Sequence, residues 1–190
     1  MAESGSGGSG PATIDWVPNK ETVATWNLVS APMGLAAAAV FGLVACRGNL
    51  PAGFSVNWQI MLAIALAILA LFVVHELIHG AVMAAFGAHP EFGVTKVGGS
   101  AMGSAFYATS PGFLFTRTQY LALAMAPTVL LSILGILLCL TPLAAVAWLP
   151  FTFHFMGCVG DCAIARRTLQ EPSSTKCEDL RDGVRFIRAA

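Results

Sequence analysis

Charge is what this chain has least of. Only 11% of its 190 residues are Asp, Glu, Lys or Arg, against about 25% in an ordinary soluble domain. That scarcity excludes a disordered chain, which charge and low hydrophobicity would hold open. It also argues against a single domain folded in water. An excess of either sign is missing too, since ten Lys and Arg stand against ten Asp and Glu. Without a basic excess there is no electrostatic footprint for nucleic acid, whose binding rests on neutralising phosphates. No repeat occurs at solenoid spacing. No basic n-region and cleavage site precede the first apolar stretch, so it does not read as a signal peptide. The five cysteines, Cys46, Cys139, Cys158, Cys162 and Cys177, lack paired metal-knuckle spacing, and their odd number leaves at least one unpaired. Cys46 and Cys139 read as small apolar filler.

What the chain does have is hydrophobicity, 56% of its residues, and it is clustered. A membrane span needs roughly 20 mostly apolar residues. Four segments qualify: Val23–Cys46, Trp58–Phe86, Tyr120–Leu143 and Ala144–Ala165, the last broken by Pro150. Trp26, Trp58, Tyr120 and Trp148 lie near span ends, where aromatic belts would place them. The expected fold is an all-α integral membrane protein of four helices, with a short β-hairpin-like loop between the second and third. Residues 1–20 are expected to be a disordered N-terminal segment, Gly/Ser-rich over Met1–Gly10, residues 21–168 the membrane domain, and residues 169–190 a soluble tail with one extended segment at Val184–Ile187. Charge in the tail reads as a solvated face. With four spans, Lys20, Lys96, Arg117, Arg166, Arg167, Lys176, Arg181, Arg185 and Arg188 share one side, and Arg47 stands on the other. The positive-inside rule puts both termini and the central loop in the cytoplasm.

The second span ends in His75-Glu76-Leu77-Ile78-His79-Gly80. His-Glu-x-x-His on a helix puts two imidazoles one turn apart on one face, where both can reach one Zn²⁺. Glu76, beside the first ligand, can act as general base. A charge at the membrane centre costs about 2.5–3.5 kcal/mol on insertion scales, so intramembrane acids face a bundle interior or a wet cavity. A buried polar cluster tying helices together is the alternative. A lone His would favour it, but two at ligand spacing with Glu between do not. Catalytic zinc takes three protein ligands. On the fourth span His154, Cys158 and Asp161 share one helical face, and Asp161 lies at the same depth as the two His. Asp161 is the expected third ligand. Its alternative is a helix-end acid paired with Arg166 or Arg167. His154 and Cys158 are supporting groups behind the ligands or alternative ligands, and His154 equally reads as a satisfied core histidine. His89 reads as a surface residue.

These residues resemble the membrane-embedded zinc metalloproteases, in particular a family of small bacterial integral membrane zincin peptidases. The likeness is carried by His75-Glu76-Leu77-Ile78-His79-Gly80, by Arg117-Thr118-Gln119-Tyr120 leading to Ala126-Pro127, and by His154 with Gly160-Asp161. It runs from Val73 to Ile187. The site-2 proteases are more distant likenesses. Their third ligand is an Asp in a Leu-Asp-Gly context, often with an upstream Asn-Pro, where this chain has Gly160-Asp161-Cys162 and an upstream His154. The resemblance implies peptidase activity on membrane or juxtamembrane substrates.

In the loop after the second span, Phe92–Val97 and Ser104–Thr109 read as strands around Gly98–Gly103, followed by a turn at Ser110-Pro111-Gly112. An extended substrate could pair with the edge of such a hairpin. The expected partners are thus the lipid bilayer and a peptide or membrane-protein substrate, with no nucleic acid. The rival class is a non-catalytic metal-binding membrane protein: a sensor, scaffold or transporter. A transporter would need a polar path across the bilayer, and the outer halves of the spans carry no acid. A scaffold has no use for a base such as Glu76.

Overall fold

The computed structural model describes residues 12–48, 57–96 and 104–189. Met1–Gly10, Val97 and the Gly98–Gly103 turn lie outside the described residues.

Three helices carry the apolar runs: α1 (Lys20–Ala45), α2 (Trp58–Ala85) and α3 (Arg117–Cys139). Polar residues start each of them. Asn19 Oδ1 accepts from Thr22 N at 2.8 Å and Asn57 Oδ1 from Ile60 N at 2.9 Å. Thr116 and Gln119 form a reciprocal capping box on α3. At 26, 28 and 23 residues, the helices reach about 39, 42 and 35 Å, which exceeds a hydrocarbon core of about 30 Å. All three are long and apolar enough to cross a membrane. Leu28, Leu35, Leu66, Leu69, Leu130 and Ile133 project outward unburied, an arrangement suited to lipid rather than water.

The fourth predicted span is two helices, α4 (Ala144–Gly157) and α5 (Val159–Leu169). At 14 residues, α4 reaches only about 21 Å. The break falls at Cys158, whose N–H is shared between the carbonyls of His154 and Phe155 at 3.2 Å each. Gly157 and Gly160 flank it, and glycine is a poor helix former. α5 turns polar, with Asp161 in its first turn and Arg166 and Arg167 in its last.

The β structure exceeds the single hairpin expected. β1 (Ala12–Trp16), β4 (Leu114–Thr116), β5 (Lys176–Leu180) and β6 (Gly183–Arg188) form an antiparallel sheet in the order β1-β6-β5-β4. β2 (Glu91–Lys96) and β3 (Ser104–Thr109) form the hairpin, with Glu91 opposite Thr109. Residues 12–16 therefore correct the expectation of disorder through residue 20. They pair with β6 from Ala12–Arg188 to Trp16–Val184, and Ile14 and Trp16 pack against the core beneath the sheet. In the tail the expected extended segment Val184–Ile187 lies within β6, and β5 adds a second strand that the sequence reading did not expect.

Two cores result. One, between the helices, holds Phe41, Leu71, Leu131 and Phe151. There Gly135 gives way to the Phe151 ring, since a Cβ would stand 2.6 Å from its Cγ. The other, under the sheet, holds Met83, Phe115, Leu123, Val184 and Phe186. Glu171 ties the second core to the helices. Its buried carboxylate accepts from Arg167 and Arg188 at 2.6 Å each, and its carbonyl accepts from Arg117 at 2.6 Å. The Arg188 hydrogen bond holds that carboxyl below its ordinary value despite burial.

Candidate metal centre

α2 belongs to both cores, to one through Leu71 and to the other through Met83. His75 and His79 lie between those anchors. Their rings meet edge to face, with centroids 4.8 Å apart and Nε2 atoms 3.1 Å apart. Asp161 arrives from the first turn of α5. Its Oδ2 is 3.2 Å from His75 Nε2 and its Oδ1 3.7 Å from His79 Nε2. Asp161 is a helix-end acid, but among the described residues its ion-pair partners are the two His rather than Arg166 or Arg167, and Arg167 pairs with Glu171.

The backbone fixes the tautomer of one histidine. His79 Nδ1 lies 3.1 Å from the carbonyl of Leu123 on α3. A carbonyl only accepts, so Nδ1 carries the proton and Nε2 presents its lone pair. Within a helix that carbonyl would bond to the N–H four residues on. Here that residue is Pro127, inside α3, which has no N–H. The proline frees the acceptor, and His79 takes it. His75 is held from behind: its Nδ1 is 3.0 Å from His154 Nε2 on α4.

The donor set suits a zinc ion. A tetrahedral zinc with bonds of about 2.0–2.1 Å has ligand-to-ligand edges of about 3.3 Å, close to the 3.1 and 3.2 Å seen here. Asp161 Oδ2 is buried and no hydrogen bond reaches it. Two imidazole nitrogens and a carboxylate, one of whose oxygens has no hydrogen-bond partner, converge here, and that donor set fits a cation. His154 and Cys158 sit on the far side of His75. Cys158 is fully buried, its Sγ 3.7 Å from His154 Nε2 and 3.3 Å from the His154 carbonyl. With His75 they make a second possible group of ligand atoms within 4.8 Å, as His75, His79 and Asp161 do. Exposed His89 takes no part.

A cavity of about 480 Å³ opens beside the centre, lined by Glu76, His79 and Asp161. Ala108 of β3 lines the same cavity as Glu76. Gly80, in the next turn of α2, lets the Phe92 ring of β2 seat the hairpin there, where a Cβ would collide with it.

Several cavity residues escaped the sequence reading. Tyr120 is not an interfacial belt residue. It is 1% exposed, and its hydroxyl donates to Asp179 Oδ1 at 2.7 Å. Asp179 is not part of a solvated face. It lines the cavity, and burial pushes its carboxyl up to about 7, against the hydrogen bonds from Tyr120 and Thr109. Val17–Lys20, Trp26 and the β5–β6 turn complete the wall. Of these only Tyr120 left a signal in the sequence, in the motif that runs on to Ala126-Pro127.

A protein-family model matches residues 68–176, a stretch holding His75, Glu76, His79, His154 and Asp161. No curated protein and no solved structure matches the chain. With more than half of its length matched, the chain belongs to the family described as “Putative zincin peptidase”.

Proposed function

We propose that the protein is a membrane-embedded zinc metallopeptidase that hydrolyses peptide bonds in membrane or juxtamembrane substrates. The observation that carries the reading is the convergence of His75, His79 and Asp161 beside a cavity that Glu76 also lines. His75, His79 and Asp161 would hold Zn²⁺, which when bound supplies a Lewis acid able to polarise a carbonyl and acidify water. Glu76 accepts a proton from the attacking water and delivers it to the leaving amine. Leu123 and His154 fix the two imidazoles from behind. β3 pairs with β2 along one edge, and its other edge suits an extended substrate backbone.

The sheet supports four crossings. β1 precedes α1, β4 precedes α3, and β5 and β6 follow α5, yet all four strands share one sheet. The chain must therefore return across the bilayer after α3, and α4 with α5 is the segment available. The charge asymmetry of the loops favours the cytoplasm for the sheet and the active-site end.

The test is metal content and peptide cleavage by the full chain in detergent. Wild type should hold one zinc, and Glu76→Gln should keep it while cleavage falls by at least about 100-fold. His79→Ala should lose both. Wild type without zinc would overturn the reading. Zinc in both proteins with cleavage by neither would favour the non-catalytic metal-binding alternative.

A further inference from the structure

The hydrolytic scheme leaves two acids of the cavity unused, exposed Asp182 and half-buried Asp179. Asp179 sits on β5 two residues after Cys177, which is fully buried beneath the sheet. Its place is fixed twice: Tyr120 donates to its carboxylate at 2.7 Å, and Thr109 donates to its backbone carbonyl at 2.9 Å. Neither partner brings positive charge. Three other acids around the sheet meet an arginine: Asp15 and Glu178 pair with Arg185, and Glu171 with Arg167 and Arg188; Asp182, in the β5–β6 turn, is exposed to solvent. Among the described residues Asp179 has no such ion pair. Lys20 and Arg181 also line the cavity, but both side chains are exposed.

In the proposed centre Asp161 and Glu76 would balance the two charges of a bound zinc, and the other charged residues of the lining, Lys20, Arg181 and Asp182, are exposed to solvent. That leaves Asp179 as the half-buried acid of the lining with no cation paired to it. A buried carboxylate without a counter-cation is held toward its neutral form, in agreement with the upward displacement of this carboxyl. The space suits a long amine, since Trp26, Met83, Phe106 and Ile164 line the same cavity and can cover an alkyl stem while its charged end reaches the acid.

We propose that Asp179 recognises a cationic nitrogen of the peptide substrate near the scissile bond, either a lysine-type side chain or a free α-amino group. The proposal rests on the peptidase reading for its substrate class, and its test separates the two. Peptide sets carry Lys, acetyl-Lys or Met at each position around the cleaved bond, with a free or acetylated N-terminus. Two quantities are measured on the full chain in detergent. One is kcat/KM on wild type and Asp179→Asn. The other is binding of the same fluorescein-labelled peptides to zinc-loaded Glu76→Gln, with and without Asp179→Asn, by anisotropy.

At one position the cationic peptide should be favoured over its Met counterpart by about 10- to 100-fold. Acetylating the responsible nitrogen should erase that preference on wild type itself, a comparison that needs no altered protein. Which acetylation does so identifies the side chain or the α-amino group. Asp179→Asn should bring the ratio close to one while zinc content stays full. No cationic preference at any position, or a preference that survives Asp179→Asn, overturns the proposal. If wild type cuts no peptide yet Glu76→Gln shows Asp179-dependent cation binding, the peptidase reading falls and the recognition site stands.

Discussion

Replacing Pro127 by alanine should weaken zinc binding without weakening the fold. Pro127 is proposed to act by lacking an N–H. Alanine at this position restores the donor that the Leu123 carbonyl lacks. That carbonyl now accepts from His79 Nδ1 at 3.1 Å. A carbonyl oxygen has two lone pairs, so the new N–H competes with His79 for it and draws it along the helix axis rather than removing it outright. Loss of a group that orients a metal ligand typically costs about 10- to 100-fold in affinity. Partial competition places Pro127→Ala near the lower figure, about 10-fold or 1.4 kcal/mol. The fold should respond differently. One added helical hydrogen bond contributes about 1 kcal/mol, and the smaller buried side chain loses a similar amount of packing, so the Tm of the zinc-free protein should move little. Zinc affinity is measured by competition with a chelator in detergent, and Tm on the stripped protein in the same detergent. Zinc affinity within twofold of wild type would refute the claim that the proline acts through His79. An equal fall in Tm and affinity would reduce the effect to general destabilisation.

Two further predictions concern acids outside the spans, and they have opposite signs. Glu171 is held below its ordinary 4.5, so its contribution is present above that value and is lost as pH falls through the lower folded one. Glu171→Gln should lower Tm by roughly 5 °C at pH 7, and the gap from wild type should close in acid; a gap independent of pH would refute the ion-pair account. Asp179 is raised from 3.8 to about 7, so wild type should lose stability as pH rises through that interval and then level off. Asp179→Asn should therefore be more heat-resistant than wild type at pH 8 and match it near pH 4, and a variant less stable than wild type at pH 8 would sink the assignment.

The long helices were legible because a span-length apolar segment writes itself locally: more than 20 mostly apolar residues leave few other folds. The hairpin was legible for the same reason, its strands being separated by a short Gly-rich stretch. β1 was not. Its partner β6 lies about 170 positions away, from Ala12–Arg188 to Trp16–Val184, and nothing in Ala12–Trp16 alone announces that pairing. The break at Cys158 was blurred because α4 and α5 together have the length of one span. Within the candidate centre, His75, Glu76 and His79 follow from spacing on one helix, and Asp161 from matching depths on two. The structure brings the two His and Asp161 within 4.8 Å. The Leu123 carbonyl could not be read in the same way, because a backbone acceptor has no letter of its own. Asp179 was misread because its neighbours in sequence are charged, whereas strand alternation turns it inward with Cys177.

The position of the candidate centre follows from two opposed demands. The proposed hydrolysis would require water and charged groups, while a helix bundle placed in lipid would penalise both. α2 meets the two demands in consecutive turns. At Leu71 it packs among helices and at Met83 beneath a sheet, with His75 and His79 where one environment gives way to the other. Moved a few turns toward Leu71, Glu76 and Asp161 would lose the cavity that solvates them. Moved onto the sheet, His79 would lose a carbonyl that only a helix interrupted by proline leaves unbonded. The pairing of β1 with β6 completes the arrangement, for it carries Val17–Lys20 to the cavity wall. The polar side of the site is thus assembled from both ends of the chain, and Asp179, on that side, is the acid best placed to read what enters.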